Sequence, residues 1–324
     1  MNGQGERMDG KAISTVGILG AGLMGHGIAQ IFASKGFRVR IHDVDRAMLE
    51  AVPQRIRDNF RVFVELGLAR PEDVADCLDR IALCDHVACA VADADLVVEA
   101  VTESLAVKVR VFEEVERHVP AAAVLCSNTS AISISEIARC LQHPQRFLGT
   151  HFWNPPHVVP CVEVIKGEET SEQVFEGVVE LMRRLGKEPV RVLKDVPGFL
   201  GNRLQHAMWR EAVALVADGI ADAEDIDKVV KYGFGLRCAM LGPLETADLA
   251  GLDLTHAVHQ YLFPHLNADT SPSPLLQDLI AQGRLGVKTG QGFHHWTRQQ
   301  AQELIQKRDS VLLRIMELIR PQRG

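Results

Sequence analysis

Along the first 190 residues, short apolar runs rich in β-branched residues alternate with longer stretches whose apolar positions recur every three or four residues. The short runs cover 16–19, 39–41, 81–83, 96–98, 124–126, 147–152 and 162–165, and "PVRVL" at 189–193 adds a last one. The longer stretches, 23–34, 46–66, 105–117 and 172–185, carry the helical period. Strands alternating with helices in this way predict an α/β unit built on a parallel sheet. Pro197 and Gly198 then punctuate the chain. Beyond them the period of two disappears. "FLGNRLQHAMWREAVALVADG" places Leu200, Leu204, Met208, Ala212, Leu215 and Val216 at helical spacing before Gly219, and "DAEDIDKVVKYG" offers Asp222 as an N-cap and Gly233 as a stop. A last stripe, Leu304, Leu312, Ile315, Met316 and Ile319, predicts a helix packed in a core or at a dimer interface. The expected organisation is a lead-in at 1–11, an α/β domain at 12–194 and an all-α domain at 195–324.

The bulk numbers agree with two domains. A chain of 324 residues is too long for one ordinary core, and 47% hydrophobic with 24% charged residues is a globular composition. A net charge of −7 argues against a nucleic-acid partner, which asks for a basic face. No apolar run approaches the length of a membrane span, and "MNGQGERMDGK" is polar, without the apolar segment of a secretory signal, which predicts disorder there. Seven cysteines, an odd number without C-x-x-C pairs or zinc-like spacing, predict reduced thiols in a cytoplasm and no metal site.

"VGILGAGLMGHGIAQ" (16–30) carries the first candidate chemistry. Gly20, Gly22 and Gly25 stand in G-x-G-x-x-G spacing between a strand and a helix. The first glycine permits the tight turn, the second lets backbone N–H groups approach a pyrophosphate, and the third brings helix and strand together. The helix N-terminus adds free donors and a positive dipole end. A second strand, "FRVRIHDVD", ends at Asp43, whose carboxylate is placed to accept from adenosine ribose hydroxyls and to repel a 2′-phosphate. NAD is the expected cofactor, with Arg40 and Arg46 the nearby cations; Asp45 suits a helix cap.

Two later stretches read as more than scaffold. "CSNTSAISISEIA" (126–138) gathers Ser127, Asn128, Thr129 and Ser130 at the carboxyl end of a strand, where ligands sit in parallel sheets. Ser133 or Ser135 suits a helix cap. In "GTHFWNPPHVVPCVEVIKG" (149–167), Pro155 and Pro156 divide two β-like pieces. Folded back as an antiparallel pair about His157, these pieces would bring His151 opposite Glu163. A carboxylate beside an imidazole fixes its tautomer and raises its basicity, which is how a general base for an alcohol proton is built.

Taken in order, "GAGLMGHGIAQ", "ADLVVEAVTESLAVK", "SNTSAISI", "HFWNPP…VEVI", "VPGFLGNRL", "GPLETADLAGLD" and "GRLGVKTGQGF" resemble the L-3-hydroxyacyl-CoA dehydrogenase superfamily from about residue 14 to 296. That superfamily includes 3-hydroxybutyryl-CoA dehydrogenases and lambda-crystallin. The resemblance implies a Rossmann-type doubly wound sheet followed by a second all-α domain that mediates homodimerisation. It also implies reversible NAD-dependent oxidation of an L-3-hydroxyacyl-CoA in fatty acid metabolism. His151 would be the general base and Glu163 its orienting partner, with Ser130 and Asn202 holding the reacting oxygen. Gly20, Gly22, Leu23, Met24, Gly25, Asp43, Glu103, Lys108, Ser127 and Asn128 would line the cofactor.

Departures from the family concern the substrate. Around Gly67, in "NFRVFVELGLARPED", Glu65, Leu66 and Leu68 stand where lysines commonly approach CoA phosphates; Arg61 and Arg70 are the cations present. Pro160 replaces another lysine, and "LRCAMLGPLE" is longer than the usual link. A non-CoA hydroxy acid, sugar acid or cyclic alcohol is therefore an alternative substrate, and an NAD-binding structural protein is a further reading. The helix over 199–217 contains no lysine, which argues against the 3-hydroxyisobutyrate dehydrogenase group, whose catalytic lysine sits there.

Overall fold

β-Branched and aliphatic residues put eight strands into one sheet. They are β1 (Thr15–Leu19), β2 (Arg38–His42), β3 (Ile81–Cys84), β4 (Leu96–Glu99), β5 (Val124–Ser127), β6 (Phe147–Phe152), β7 (Cys161–Ile165) and β8 (Glu188–Val192). In this computed structural model, which describes residues 13–319, their order is β3-β2-β1-β4-β5-β6-β7-β8. The predicted disordered lead-in at 1–11 lies outside the described residues. Every neighbouring pair is parallel except β6 and β7. The strand order reverses direction at β1 and β4, the switch point where doubly wound sheets bind ligands outside their carboxyl ends.

The helices of this first unit, which ends at Asn202, are α1 (Gly25–Ser34), α2 (Arg46–Glu50), α3 (Val52–Glu65), α4 (Pro71–Leu78), α5 (Val87–Val91), α6 (Leu105–Glu116), α7 (Ile134–Ala138) and α8 (Glu172–Arg184). The single helix expected over 46–66 is two: Pro53, lacking an N–H, starts a new helix after Ala51 instead of continuing the old one. The short α4, α5 and α7 are additional to the expected helices. Asp45 caps α2 by accepting from the Ala47 and Met48 amides, and Ser133 caps α7 by accepting from Glu136.

Strand periodicity divides the core in two. Val16, Ile18, Leu96, Val98, Leu148, Val162 and Val164 pack with α1, α3 and α8. Val97, Leu125, Phe147 and Ile165, one residue out of phase, pack with α5, α6 and α7. Residues sharing the second phase at the carboxyl ends of the strands therefore face one side. Glu99, Ser127, His151 and Glu163 all share it.

The second unit begins at Arg203 and is helical: α9 (Gly201–Ala217, entering from the first unit), α10 (Ala223–Tyr232), α11 (Phe234–Arg237), α12 (Pro243–Ala250), α13 (Leu252–Leu262), α14 (Pro274–Ala281) and α15 (Arg298–Ile319). Asp222 caps α10 through the Asp225 amide and Gly233 ends it, as the sequence predicts. In the α15 stripe Leu304 is half exposed and the side chain of Ile319 lies outside the described residues. No helix among the described residues is long and apolar enough to cross a membrane.

Candidate active site

The antiparallel β6–β7 pair sets His151 directly opposite Glu163, with the register centred on His157 as the sequence predicts. Cβ atoms of such partners lie about 5 Å apart, so the side chains meet. His151 Nδ1 lies 2.7 Å from Glu163 Oε2, and both residues are buried. The other oxygen, Oε1, accepts the amide N–H groups of Leu200 (2.9 Å) and Gly201 (3.0 Å). Burial pushes the Glu163 carboxyl up, but the bonds from His151 and from the Gly201 and Leu200 amides outweigh it and hold it below its ordinary value.

The backbone is bent to deliver those amides. Gly198 (φ 77°) and Phe199 (φ 50°) are consecutive left-handed residues, and Phe199 is the one non-glycine with positive φ among the described residues. Such strain persists where surrounding structure over-determines it. Phe199 is fully buried, its ring 5.9 Å from that of His151. Trp153 packs on the other ring contact of His151 at 5.2 Å, and a Cβ on Gly201 would fall 2.1 Å from its Cζ2. Gly201 is thus the residue type that lets the chain pass the indole and still bond Glu163.

Ser130 and Asn202, expected at the reacting oxygen, are brought together: Asn202 Nδ2 donates to the Ser130 carbonyl at 2.8 Å. The loop carrying Ser130 is held from the other side by Glu103. Its Oε1 accepts from Thr129 Oγ1 (2.7 Å) and from the amides of Ser130 (2.8 Å) and Ala131 (3.1 Å). Burial raises the Glu103 carboxyl; these bonds and the Lys108 ammonium lower it further, and the net direction is down. Asn128 fixes the same loop to β6 by accepting from the Phe152 amide.

Lys108 and Ser127 lie deeper than the sequence suggests. Both are buried, and both are bound to Glu99, which is fully buried at the end of β4. Glu99 Oε1 accepts from Lys108 Nζ (2.7 Å) and from the Val101 amide (2.7 Å), while Oε2 accepts from Ser127 Oγ (2.6 Å). Sequence reasoning misses Glu99. Its signal is a carboxylate ending an otherwise apolar strand, "LVVE".

The glycine-rich turn fits a dinucleotide pyrophosphate. Gly20 has φ +100°, and a Cβ there would lie 2.4 Å from the Ala100 carbonyl, so the turn after β1 needs glycine. At Gly22 an added Cβ would meet nothing within 4 Å, which leaves open room beside the start of α1. β2 stops at His42, one residue short of the expected end, and the carboxylate of Asp43, the next residue, accepts from the Ala21 amide of the turn (2.6 Å) and from the Asp45 amide (2.8 Å). Leu23 is exposed, and Met24 is the half-buried residue before α1. The two nearby arginines are committed elsewhere: Arg40 to Asp93 and the Cys89 carbonyl, Arg46 to Glu50.

Comparison with known proteins places this geometry among relatives. Residues 15–196 match the 3-hydroxyacyl-CoA dehydrogenase NAD binding domain, and residues 198–296 match the 3-hydroxyacyl-CoA dehydrogenase C-terminal domain. A 5-formyl-3-hydroxy-2-methylpyridine 4-carboxylate 5-dehydrogenase of Mesorhizobium japonicum is 34% identical over 95% of this chain and 98% of its own. A crystal structure of a dehydrogenase of that description, an NAD+ dependent dismutase, superposes with a TM-score of 0.88, at 34% identity over 94% of this chain and 98% of that one. A probable 3-hydroxybutyryl-CoA dehydrogenase of Bacillus subtilis is 38% identical over 88% of this chain and 98% of its own. The crystal structure of (S)-3-hydroxybutyryl-CoA dehydrogenase from Ralstonia eutropha gives a TM-score of 0.74, at 35% identity over 89% of this chain and 100% of that one.

Proposed function

The chain belongs to the 3-hydroxyacyl-CoA dehydrogenase family and is an NAD-dependent oxidoreductase, and from that premise we propose that it oxidises the 3-hydroxyl of an L-3-hydroxyacyl substrate reversibly to a ketone, with the His151–Glu163 pair as general base. The observation that carries this reading is the 2.7 Å contact between buried His151 and buried Glu163 at the carboxyl edge of the sheet.

Bound NAD supplies the hydride acceptor. The backbone of Gly20, Gly22, Leu23, Met24 and Gly25 would hold its pyrophosphate, and Asp43 its adenosine ribose. Glu103, paired with Lys108, would border the nicotinamide half, and Ser127 and Asn128 would line the same stretch from the end of β5. Glu163 engages Nδ1 of His151, which leaves Nε2 to take the hydroxyl proton as the alcohol is oxidised. In the reverse direction the imidazolium returns that proton to the ketone oxygen, and Glu163 stabilises the cation. Ser130, its loop fixed by Glu103 and Asn202, holds the reacting oxygen together with Asn202.

An acyl-CoA such as 3-hydroxybutyryl-CoA is the first substrate reading, supported by the family match and the hydroxybutyryl-CoA relatives. A compact hydroxy acid without CoA is the second. It is favoured by the α3–α4 hairpin, where Leu66 and Leu68 replace the lysines expected for CoA phosphates and both Arg61 and Arg70 are bonded to Asp58 and Asp73. The pyridine carboxylate dehydrogenase, which aligns along nearly its whole length, supports the absence of CoA, though its name gives a formyl substrate and not a hydroxy acid. Two experiments test the proposal. His151→Ala retains NADH binding and loses most turnover; undiminished kcat refutes the mechanism. NADH oxidation with acetoacetyl-CoA, set against free acetoacetate and other non-CoA ketones, separates the substrates, since indifference to CoA selects the second reading.

The second unit is assigned to homodimerisation. Tyr232, Leu249, Leu252 and Leu254 are each more than half exposed, apolar side chains of the kind that a second copy would cover. All seven cysteines are free, which fits a reducing cytoplasm.

A further inference from the structure

Strand order fixes where the reacting end of the cofactor lies. The glycine turn follows β1, and His151 stands near the end of β6; β4 and β5 separate those strands. A dinucleotide that runs from the turn to the base therefore crosses the carboxyl ends of β4 and β5. Those ends are Glu99 and Ser127, register partners whose side chains occupy the same face as His151.

Beneath that crossing lies a charged cluster. Lys108 Nζ is 2.7 Å from Glu99 and 3.2 Å from Glu103. Lys108 and Glu99 are 1% and 0% exposed, whereas Glu103 is 42% exposed. Two carboxylates around one ammonium leave a formal excess of one negative charge. Helix geometry alone does not require it: Lys108 needs one partner, and Ser127 or the Val101 amide would bond a neutral amide side chain as well. A fully buried carboxylate beside a lysine that a half-exposed carboxylate already pairs carries a desolvation cost.

The two oxidation states of the cofactor differ in the relevant property, because the nicotinamide ring is cationic in NAD+ and neutral in NADH. We propose that Glu99 is a positioning residue that tunes the site toward the oxidised cofactor: acting through Lys108 and with Glu103, it keeps one surplus negative charge under the nicotinamide and so strengthens NAD+ binding relative to NADH. This rests on the placement of the reacting centre beside His151 given above. The same network ties the Ser127–Ala131 loop to β4, so a structural role and an electrostatic role predict different things. Loss of support weakens both oxidation states together, whereas loss of charge weakens NAD+ selectively.

The test is equilibrium binding of NAD+ and of NADH to the full chain, by calorimetry at one pH, for the wild type and Glu99→Gln. The amide preserves the shape, and Lys108 keeps Glu103 as its charged partner. The ratio Kd(NAD+)/Kd(NADH) is expected to rise by about three- to tenfold, the size expected of one charge roughly 10 Å away in a partly screened site. An unchanged ratio, with both affinities equal to wild type or reduced in step, overturns the proposal. Should Glu99→Gln not fold, Glu103→Gln decides, because it removes the same charge from a half-exposed position and must move the ratio the same way. The readout needs no turnover. A His151→Ala enzyme of undiminished kcat would remove the catalytic reading without touching this ratio, and an unmoved ratio would leave His151 in place.

Discussion

His151 Nδ1 and Glu163 Oε2 stand 2.7 Å apart on adjacent antiparallel strands, in register and under cover of the Trp153 and Phe199 rings. The remaining oxygen of Glu163 is taken by two backbone amides that follow a strained turn. The carboxylate is thereby fixed at both ends, and as an acceptor it favours the imidazole tautomer with the proton on Nδ1.

Glu163→Gln therefore does more than remove a charge. The amide NH2 of glutamine donates to Nδ1, which forces the imidazole proton onto Nε2, the nitrogen that has to accept. The imidazolium also loses its counter-ion. Steady-state kinetics are expected to show kcat reduced by about two to four orders of magnitude, as in catalytic dyads with an inverted tautomer, with the NADH dissociation constant within about twofold of wild type. A variant that turns over at the wild-type rate would show that Glu163 does not orient the base.

The same carboxylate ties stability to pH. Its value in the folded chain lies below the ordinary 4.5, so the folded state holds the proton less tightly than the unfolded one. For a depressed group the stabilisation is present in full above the unfolded value and is lost as pH falls through the folded one. Urea midpoints of the wild type minus those of Glu163→Gln should accordingly shrink as pH falls below about 5. A difference that failed to shrink below about pH 5 would contradict the assignment.

The dyad is legible in the amino-acid sequence because its two halves are local. Pro155 and Pro156 mark a turn, strand parity does the rest, and parity survives any detail of the loop. The turn at Gly20 and the carboxylate at Asp43 are legible for the same reason, a strand followed by a helix. Glu99 is not. Its partners come from α6 and from β5, so its role depends on strand order, which no local pattern encodes. Nor does any spacing reveal that Trp153 meets Gly201, since that contact joins a loop to the start of α9. The break between α2 and α3 hides behind continuous apolar spacing and turns on Pro53 alone.

Gly201→Ala tests that contact. The new methyl falls 2.1 Å from Trp153 Cζ2 and 2.9 Å from Cη2, well inside contact distance, so either the indole or the start of α9 must move. Moving the helix start withdraws the Gly201 amide from Glu163; moving the indole disturbs its packing on His151. The expected cost is about 1–3 kcal/mol of stability with a reduced kcat. Trp153→Ala in the same chain should restore part of the stability, since the clash is then gone. Equal losses in the single and double variants, read from thermal denaturation, would place the damage elsewhere.

Asp43→Ala separates cofactor affinity from chemistry. The side chain serves the turn through the Ala21 amide, far along the sheet from the β6–β7 dyad, and is proposed above to hold the ribose hydroxyls. Its removal is expected to raise the KM for NAD+ by about tenfold or more while kcat stays within a few-fold, since two hydrogen bonds to a charged acceptor are lost. NADP+ should gain relative to NAD+ because the repelling carboxylate is gone. The gain is expected to be small, because Arg40 and Arg46 remain bonded to Asp93 and Glu50 and offer the 2′-phosphate no ready partner. A variant that used NADP+ as well as the wild type uses NAD+ would mean that one of those arginines leaves its carboxylate, and a double variant with Arg40→Ala or Arg46→Ala would show which.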